Sequence, residues 1–349
     1  MARLARSIGP VDLSRLIELI KSGVSVDDTQ RKCHAEFRTM WNYGWARIDT
    51  FLKQHPPLRP RAAATIGTAY FAATVCCLLH DVKVDVEAVC KPLLGVCLGM
   101  TYTDMFFDEA STTTAQKEAL VKFINDRMAG DVSTQPHDAA SRAADAAFAL
   151  ITAHAGFEHV LEALRQIIGT HHRSVLAPDQ DLRATALKLG AQTGAAFAAI
   201  IAPGDAEFER MCQVLGAWMQ LLDDAADVDD DALVGIQTHA TDVLEKTGCM
   251  DSYWTLLAAV SAHAAQAIGS AADRRGLTLG TVARYGVLFT SGLSYAKLSP
   301  RMQVLDSRFD TEELVDLYKV WRESYETTVQ SLHVSDLRGL IGRIVASFL

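Results

Sequence analysis

The chain lacks any Cys-x-x-Cys pair and any Cys/His spacing suited to zinc, although its 349 residues include seven cysteines. An odd number without paired spacing argues against a disulfide framework and for buried, reduced thiols. Cys76 and Cys77 lie in one apolar run, and Cys90 and Cys97 in another, where a core would place them. No basic cluster interleaved with aromatics is present, and the net charge is −9, so no nucleic-acid surface is expected. An anionic ligand would need cations brought to it. Apolar runs such as Tyr70–Leu79 and Ala195–Ala202 fall far short of a bilayer, and no signal segment is apparent. The expectation is a cytoplasmic chain without a membrane span. Period-2 alternation, Gly/Ser linkers and fixed-period repeats are all absent. So is any Glu-x-x-His pair, which a carboxylate-bridged di-iron bundle needs.

What is there is helical. Hydrophobic content is 49%, enough for a sizeable core. Periodicity and breakers predict helices at 11–25, 28–54, 61–80, 84–109, 115–130, 138–154, 157–172 and 180–202. An acidic helix starts near Glu207, and others follow at 234–247, 251–274, 278–297, 311–332 and 335–348. Trp41, Tyr43, Trp45 and Phe51 recur at near-helical spacing, as core residues do. His171 and His172 are adjacent, which is poor metal geometry on a helix, and read as surface residues. The fold class is all-α, one domain over residues 1–349.

The stretch Gly216–Asp231, GAWMQLLDDAADVDDD, holds Gln220 and six aspartates, at 223, 224, 227, 229, 230 and 231. Trp218, Met219, Leu221, Leu222, Ala225, Ala226 and Val228 between them suit a largely buried helix. Asp223, Asp227 and Asp231 recur at i, i+4 and i+8 and form one stripe. Like charges so spaced repel, and more strongly where water is scarce. Either the face is solvated, as acidic helix ends often are, or something neutralises it. A divalent cation suits the second reading, because Mg²⁺ takes one or two carboxylates plus substrate phosphates. A second acidic set supports it: in Tyr102-Thr103-Asp104-Met105-Phe106-Phe107-Asp108-Glu109, Asp104 and Asp108 are also i,i+4.

These residues resemble a known superfamily. Gly216-x-x-x-Gln220-x-x-Asp223-Asp224-x-x-Asp227 resembles the second aspartate-rich motif, GxxxQxxDDxxD, of trans-isoprenyl diphosphate synthases. The same segment is similar to squalene/phytoene synthases, with Asp227-Val228-Asp229-Asp230-Asp231 as the acidic tail. It is similar too to bacterial large-terpene synthases, through Leu221-Leu222-Asp223, Asp227 and Asp231. Tyr102 to Asp108 resembles the first motif of these groups. Gln192-Thr193-Gly194 resembles the elongase KTG segment, and Leu58-Arg59-Pro60 the RLRP segment. Some departures point away from elongases: Gln192 stands for the lysine, Ala110 to Thr114 replace paired arginines, and no GGK precedes Leu58. Those cations hold isopentenyl diphosphate in elongases. The NDxxSxxxE motif of typical bacterial class I cyclases is absent as well. The resemblance is therefore to the isoprenoid (class I terpenoid) synthase superfamily, nearest its prenyltransferase-like terpene synthases.

The resemblance implies an isoprenoid synthase-like helical bundle around a central apolar cavity, with three Mg²⁺ ions when substrate is bound. Asp104, Asp108, Asp223 and Asp227 would be catalytic metal ligands, and Asp224 and Asp231 further ligands. Glu109, Asp229 and Asp230 would be outer or solvated. Gln220 would orient a metal water or the diphosphate, or else pack as a plain amide. Arg59, Arg61, Lys188, Arg284 and Lys297 are candidates to grip the diphosphate; Arg284-Tyr285 resembles the RY pair of cyclases. Tyr102, Phe106, Phe107, Phe197 and Trp218 would line the pocket or belong to the core. Gly99 and Met100 stand where elongases limit chain length, and their modest size hints at room for a longer chain. The implied activity is a terpene synthase (a lyase) acting on one prenyl diphosphate. A prenyltransferase joining two isoprenoid units and a non-catalytic helical binding protein are the alternatives. A homodimer is implied by analogy.

Overall fold

The computed structural model describes residues 28–54, 66, 69–70, 72–74, 76–77, 86–109, 111–153, 157–176, 181–273, 287, 290–292, 294–295 and 297–305. The protein is all-α: no strand occurs among the described residues. Nine helices are delimited among the described residues: α1 Asp28–Gln54, α2 Val86–Asp108, α3 Thr114–Met128, α4 Ala139–Thr152, α5 Phe157–Leu176, α6 Leu182–Ile201, α7 Ala206–Val234, α8 His239–Thr247 and α9 Asp251–Asp273. The described residues within 66–77 and 287–298 are also helical, and Ser299–Arg301 is a 3-10 turn. The helices expected at 11–25, 311–332 and 335–348 lie outside the described residues.

Chain contacts divide the protein into two compact units, residues 36–216 and residues 1–35 with 217–349. In the 36–216 unit, α1 buries Met40, Ile48, Phe51 and Leu52, an i, i+4 stripe, while Tyr43 and Trp45 are half-buried beside it. The Trp41 side chain lies outside the described residues. The Tyr70 hydroxyl donates to the Met40 carbonyl at 2.9 Å. Its ring fills the space over Gly44, where a Cβ would stand 2.1 Å from Tyr70 Cε1. α2 is buried nearly all round, through Val89, Leu93, Leu94, Val96, Cys97 and Leu98. That explains why its sequence is continuously apolar rather than striped, with each such side chain contributing about 1.5–3 kcal/mol.

Glycines set the closest helix crossings. A Cβ on Gly194 of α6 would lie 1.9 Å from the Cys212 carbonyl oxygen of α7, and one on Gly216 would lie 2.0 Å from the Gly190 oxygen. Backbone meets backbone there, which only a residue without a Cβ allows. α6 is long and apolar enough to cross a membrane by length and composition. Within this unit its Gly190 and Gly194 are taken up against α7. Gly99 of α2 faces α4, where a Cβ would come 3.3 Å from Ala147 Cβ. Its small size serves helix packing.

Local signals set the boundaries. Thr113 with Gln116, Asp138 with Ser141, and Thr238 with Thr241 form reciprocal caps that start α3, α4 and α8. The helix expected at 234–247 is corrected by a glycine break and by the Thr238 cap. α7 runs on to Val234 and breaks at Gly235, whose φ is 77°, and α8 starts only after the Thr238 cap.

In the other unit, α7 from Ala217 onward packs with α9 and the described helical residues within 287–298. Tyr253 of α9 donates its hydroxyl to the Leu221 carbonyl at 2.5 Å. Trp254 and Tyr295 meet at a tilt of 59° with ring centroids 5.0 Å apart. The expected buried thiols are found at Cys76, Cys77, Cys90, Cys97 and Cys212, while Cys249 is half-buried.

Candidate functional site

α7 starts well and ends awkwardly. Asp205 accepts the N–H groups of Glu207 and Phe208 at 3.1 and 3.0 Å, and Glu207 and Glu209 suit the positive end of the helix dipole. At the other end Asp231 lies in the last turn, where the dipole disfavours anions, and that turn has no basic residue.

The aspartates are not equivalent. At about 100° per residue, Asp230, Asp223, Asp227, Gln220, Asp231 and Asp224 follow one another across an arc of about 120°. Their exposure falls in the same order. Asp230 and Asp223 are exposed and Asp227 and Gln220 half-buried, whereas Asp231 and Asp224 keep only 8% and 5% of their surface. One acidic face thus runs from water into the protein. Asp229 projects from another side of the helix.

The buried edge is held by neighbours. Gln220 Nε2 donates to Asp224 Oδ1 at 3.0 Å, so the packing-amide reading of Gln220 has a concrete partner. Burial first, then the nearby charges of Asp224 and Asp223, push the Tyr253 hydroxyl well above its ordinary value and keep it a donor. Trp218 is half-buried and donates its indole N–H to Ser291 Oγ at 3.2 Å. Ser291 in turn contacts Ser261 Oγ and the Val287 carbonyl, each at 2.7 Å.

Two cations reach α7 from far along the chain. Lys297 Nζ donates to the Ala226 carbonyl. Arg301 grips Asp229 with both ends of its guanidinium, Nη2–Oδ1 at 2.5 Å and Nη1–Oδ2 at 3.2 Å. Lys297 therefore has a protein carbonyl as a partner. Arg301, Tyr253 and Ser291 were not legible as neighbours of the acidic stretch, because no local pattern links residues so far apart.

In the 36–216 unit, the first acidic set closes α2. Asp104 is half-buried, and Asp108 is the final helical residue, its side chain outside the described residues. α2 likewise has no basic residue in its last turn. Glu109 is exposed and accepts from Ser111 Oγ at 3.3 Å. Tyr102 and Phe107 are core residues, 2% and 3% exposed, and Tyr102 meets Phe51 edge-on at 5.2 Å. Burial pushes the Tyr102 hydroxyl up to about 12. Phe197 is buried too, whereas Phe106 is half-buried. Lys188 lies exposed on α6. Arg59, Arg61, Arg284 and the side chains of His171 and His172 lie outside the described residues.

The donors on α7 are carboxylate oxygens, the ligands that Mg²⁺ prefers. Asp223 and Asp227 stand one turn apart on a face open to water, and Mg²⁺ ordinarily takes one or two carboxylates and completes its shell with water and phosphate. The residues therefore fit the ion. Among the described residues, no group of three or more His, Cys, Asp or Glu is arranged as a ready-made cage. The chain matches no family model, no curated protein and no solved structure.

Proposed function

We propose that the chain is a Mg²⁺-dependent class I terpene synthase that ionises a linear prenyl diphosphate and releases diphosphate. One observation carries the reading: the graded acidic face of α7, on a Gly216–Gln220–Asp223–Asp224–Asp227 spacing that resembles the second motif of isoprenoid synthases. Asp223 and Asp227 are the proposed metal ligands on α7, and Asp104 and Asp108 those on α2. Bound Mg²⁺ would neutralise charge on the departing diphosphate as its C–O bond stretches. Asp224 and Asp231, being buried, brace the face, and Gln220 orients Asp224. Arg59, Arg284 and Lys188 are the proposed diphosphate grips. Phe106 and Trp218, both half-buried, offer ring faces that favour a carbocation.

The GxxxQxxDDxxD spacing also favours a second reading, a prenyltransferase that joins two isoprenoid units. Gas chromatography of products from geranyl, farnesyl and geranylgeranyl diphosphates with Mg²⁺, each with and without isopentenyl diphosphate, separates the two. A hydrocarbon or alcohol from a single substrate supports the synthase. A longer diphosphate formed only with isopentenyl diphosphate selects the transferase. No product in any arm leaves a non-catalytic helical binding protein.

A further inference from the structure

The segment after Lys297 is fixed to two helices at once. The Arg301 carbonyl accepts the Met250 N–H at 3.0 Å, and Asp251, the first residue of α9, accepts the N–H groups of Gln303 and Val304 at 3.0 Å each. Burial opposes the charge on Asp251, but those two backbone donors together with the Cys249 thiol outweigh it and hold the carboxyl below its ordinary value. From this clamped turn Arg301 reaches Asp229, and Lys297, just before it, reaches the Ala226 carbonyl. α7 has no basic residue of its own in its last turn, so this segment supplies cations to it from another part of the chain.

Asp229 stands about 160° round the helix from Asp227. A guanidinium fork on Asp229 therefore grips α7 from behind its acidic face and, unlike a lysine, fixes direction as well as charge. We propose that Arg301 is a positioning residue: it removes Asp229 from the metal-ligand set and, through its ties to α9, holds the bearing of Asp223 and Asp227. The proposal rests on the metal–diphosphate reading given above.

The test is Mn²⁺ affinity of the full chain in the presence of inorganic pyrophosphate, followed by the electron paramagnetic resonance of free Mn²⁺. It is run well below the melting point of every variant. A pair that merely added stability would leave this affinity unmoved. D229N and R301A each weaken Mn²⁺ binding about two- to fivefold, the scale of a partly exposed ion pair. The double variant D229N/R301A is no worse than either, and the swapped pair D229R/R301D returns to within about twofold of wild type. Unchanged affinity in R301A overturns the proposal. So does a swapped pair that loses Mn²⁺ as completely as D227N, because an arginine cannot replace a ligand. A wild-type chain that binds no Mn²⁺ with pyrophosphate overturns the metal–diphosphate reading itself, a result distinct from any pattern among the variants.

Discussion

The acidic end of α7 and the acidic end of α2 look alike as letters and differ in what the protein sets around them. α7 sorts its aspartates by depth, ties Asp224 to Gln220, and hands Asp229 to Arg301. α2 ends on a half-buried Asp104 and a terminal Asp108, followed at once by the Glu109–Thr112 turn, whose N–H to carbonyl bond measures 2.9 Å. A run of six aspartates is thus not six candidate ligands. Asp223 and Asp227 share the water-facing part of the arc with Asp230, which the motif resemblance alone leaves outside the set.

The comparison breaks most visibly if the two helices are unequal in turnover. Asp227→Asn and Asp104→Asn are each expected to lower kcat at least about 100-fold, the scale of losing a key electrostatic group. Near-normal kcat in one of them would assign the metal to the other helix alone. Next come the glycine crossings. Gly194→Ala and Gly216→Ala push a methyl into backbone at 1.9 and 2.0 Å and should cost about 2–3 kcal/mol in denaturant unfolding. Gly99→Ala, at 3.3 Å from a side-chain atom, should stay within about 1 kcal/mol of wild type.

Alkaline titration sharpens the contrast between the acidic faces and the buried core. Burial raises Cys90 from 9.0 to about 11 and Tyr102 from 10.0 to about 12, and pushes Cys77, Tyr70 and Tyr253 well up. The folded state holds these protons more tightly than the unfolded state does. The stability they contribute is complete below the unfolded values and is lost as pH rises from about 9 towards 12. Denaturant midpoints should fall across that window; midpoints that stay level there would contradict the burial of these groups. The smallest effect concerns access. Among the described cysteines, Cys249 should react first with a thiol reagent, and fast labelling of Cys90 or Cys97 would contradict their burial.

Much of the helical layout was legible because apolar spacing and capping residues are local: α1 at 28–54 follows from its Met40–Ile48–Leu52 stripe. The existence of the acidic face was legible from the i, i+4 spacing of Asp223 and Asp227. Its depth was not, because burial of Asp224 depends on Tyr253 and α9. The Arg301–Asp229 pair was invisible for a similar reason, since the turn that carries Arg301 is placed by Met250 and Asp251. The break between α7 and α8 was misjudged because the acidic run continues the helix up to Gly235.

The most direct measurement is release of inorganic diphosphate by the wild-type chain from geranyl, farnesyl and geranylgeranyl diphosphates, with Mg²⁺ and again with a chelator. The account predicts release from at least one of them that stops when the metal is removed. No release from any, or release indifferent to the chelator, would contradict it.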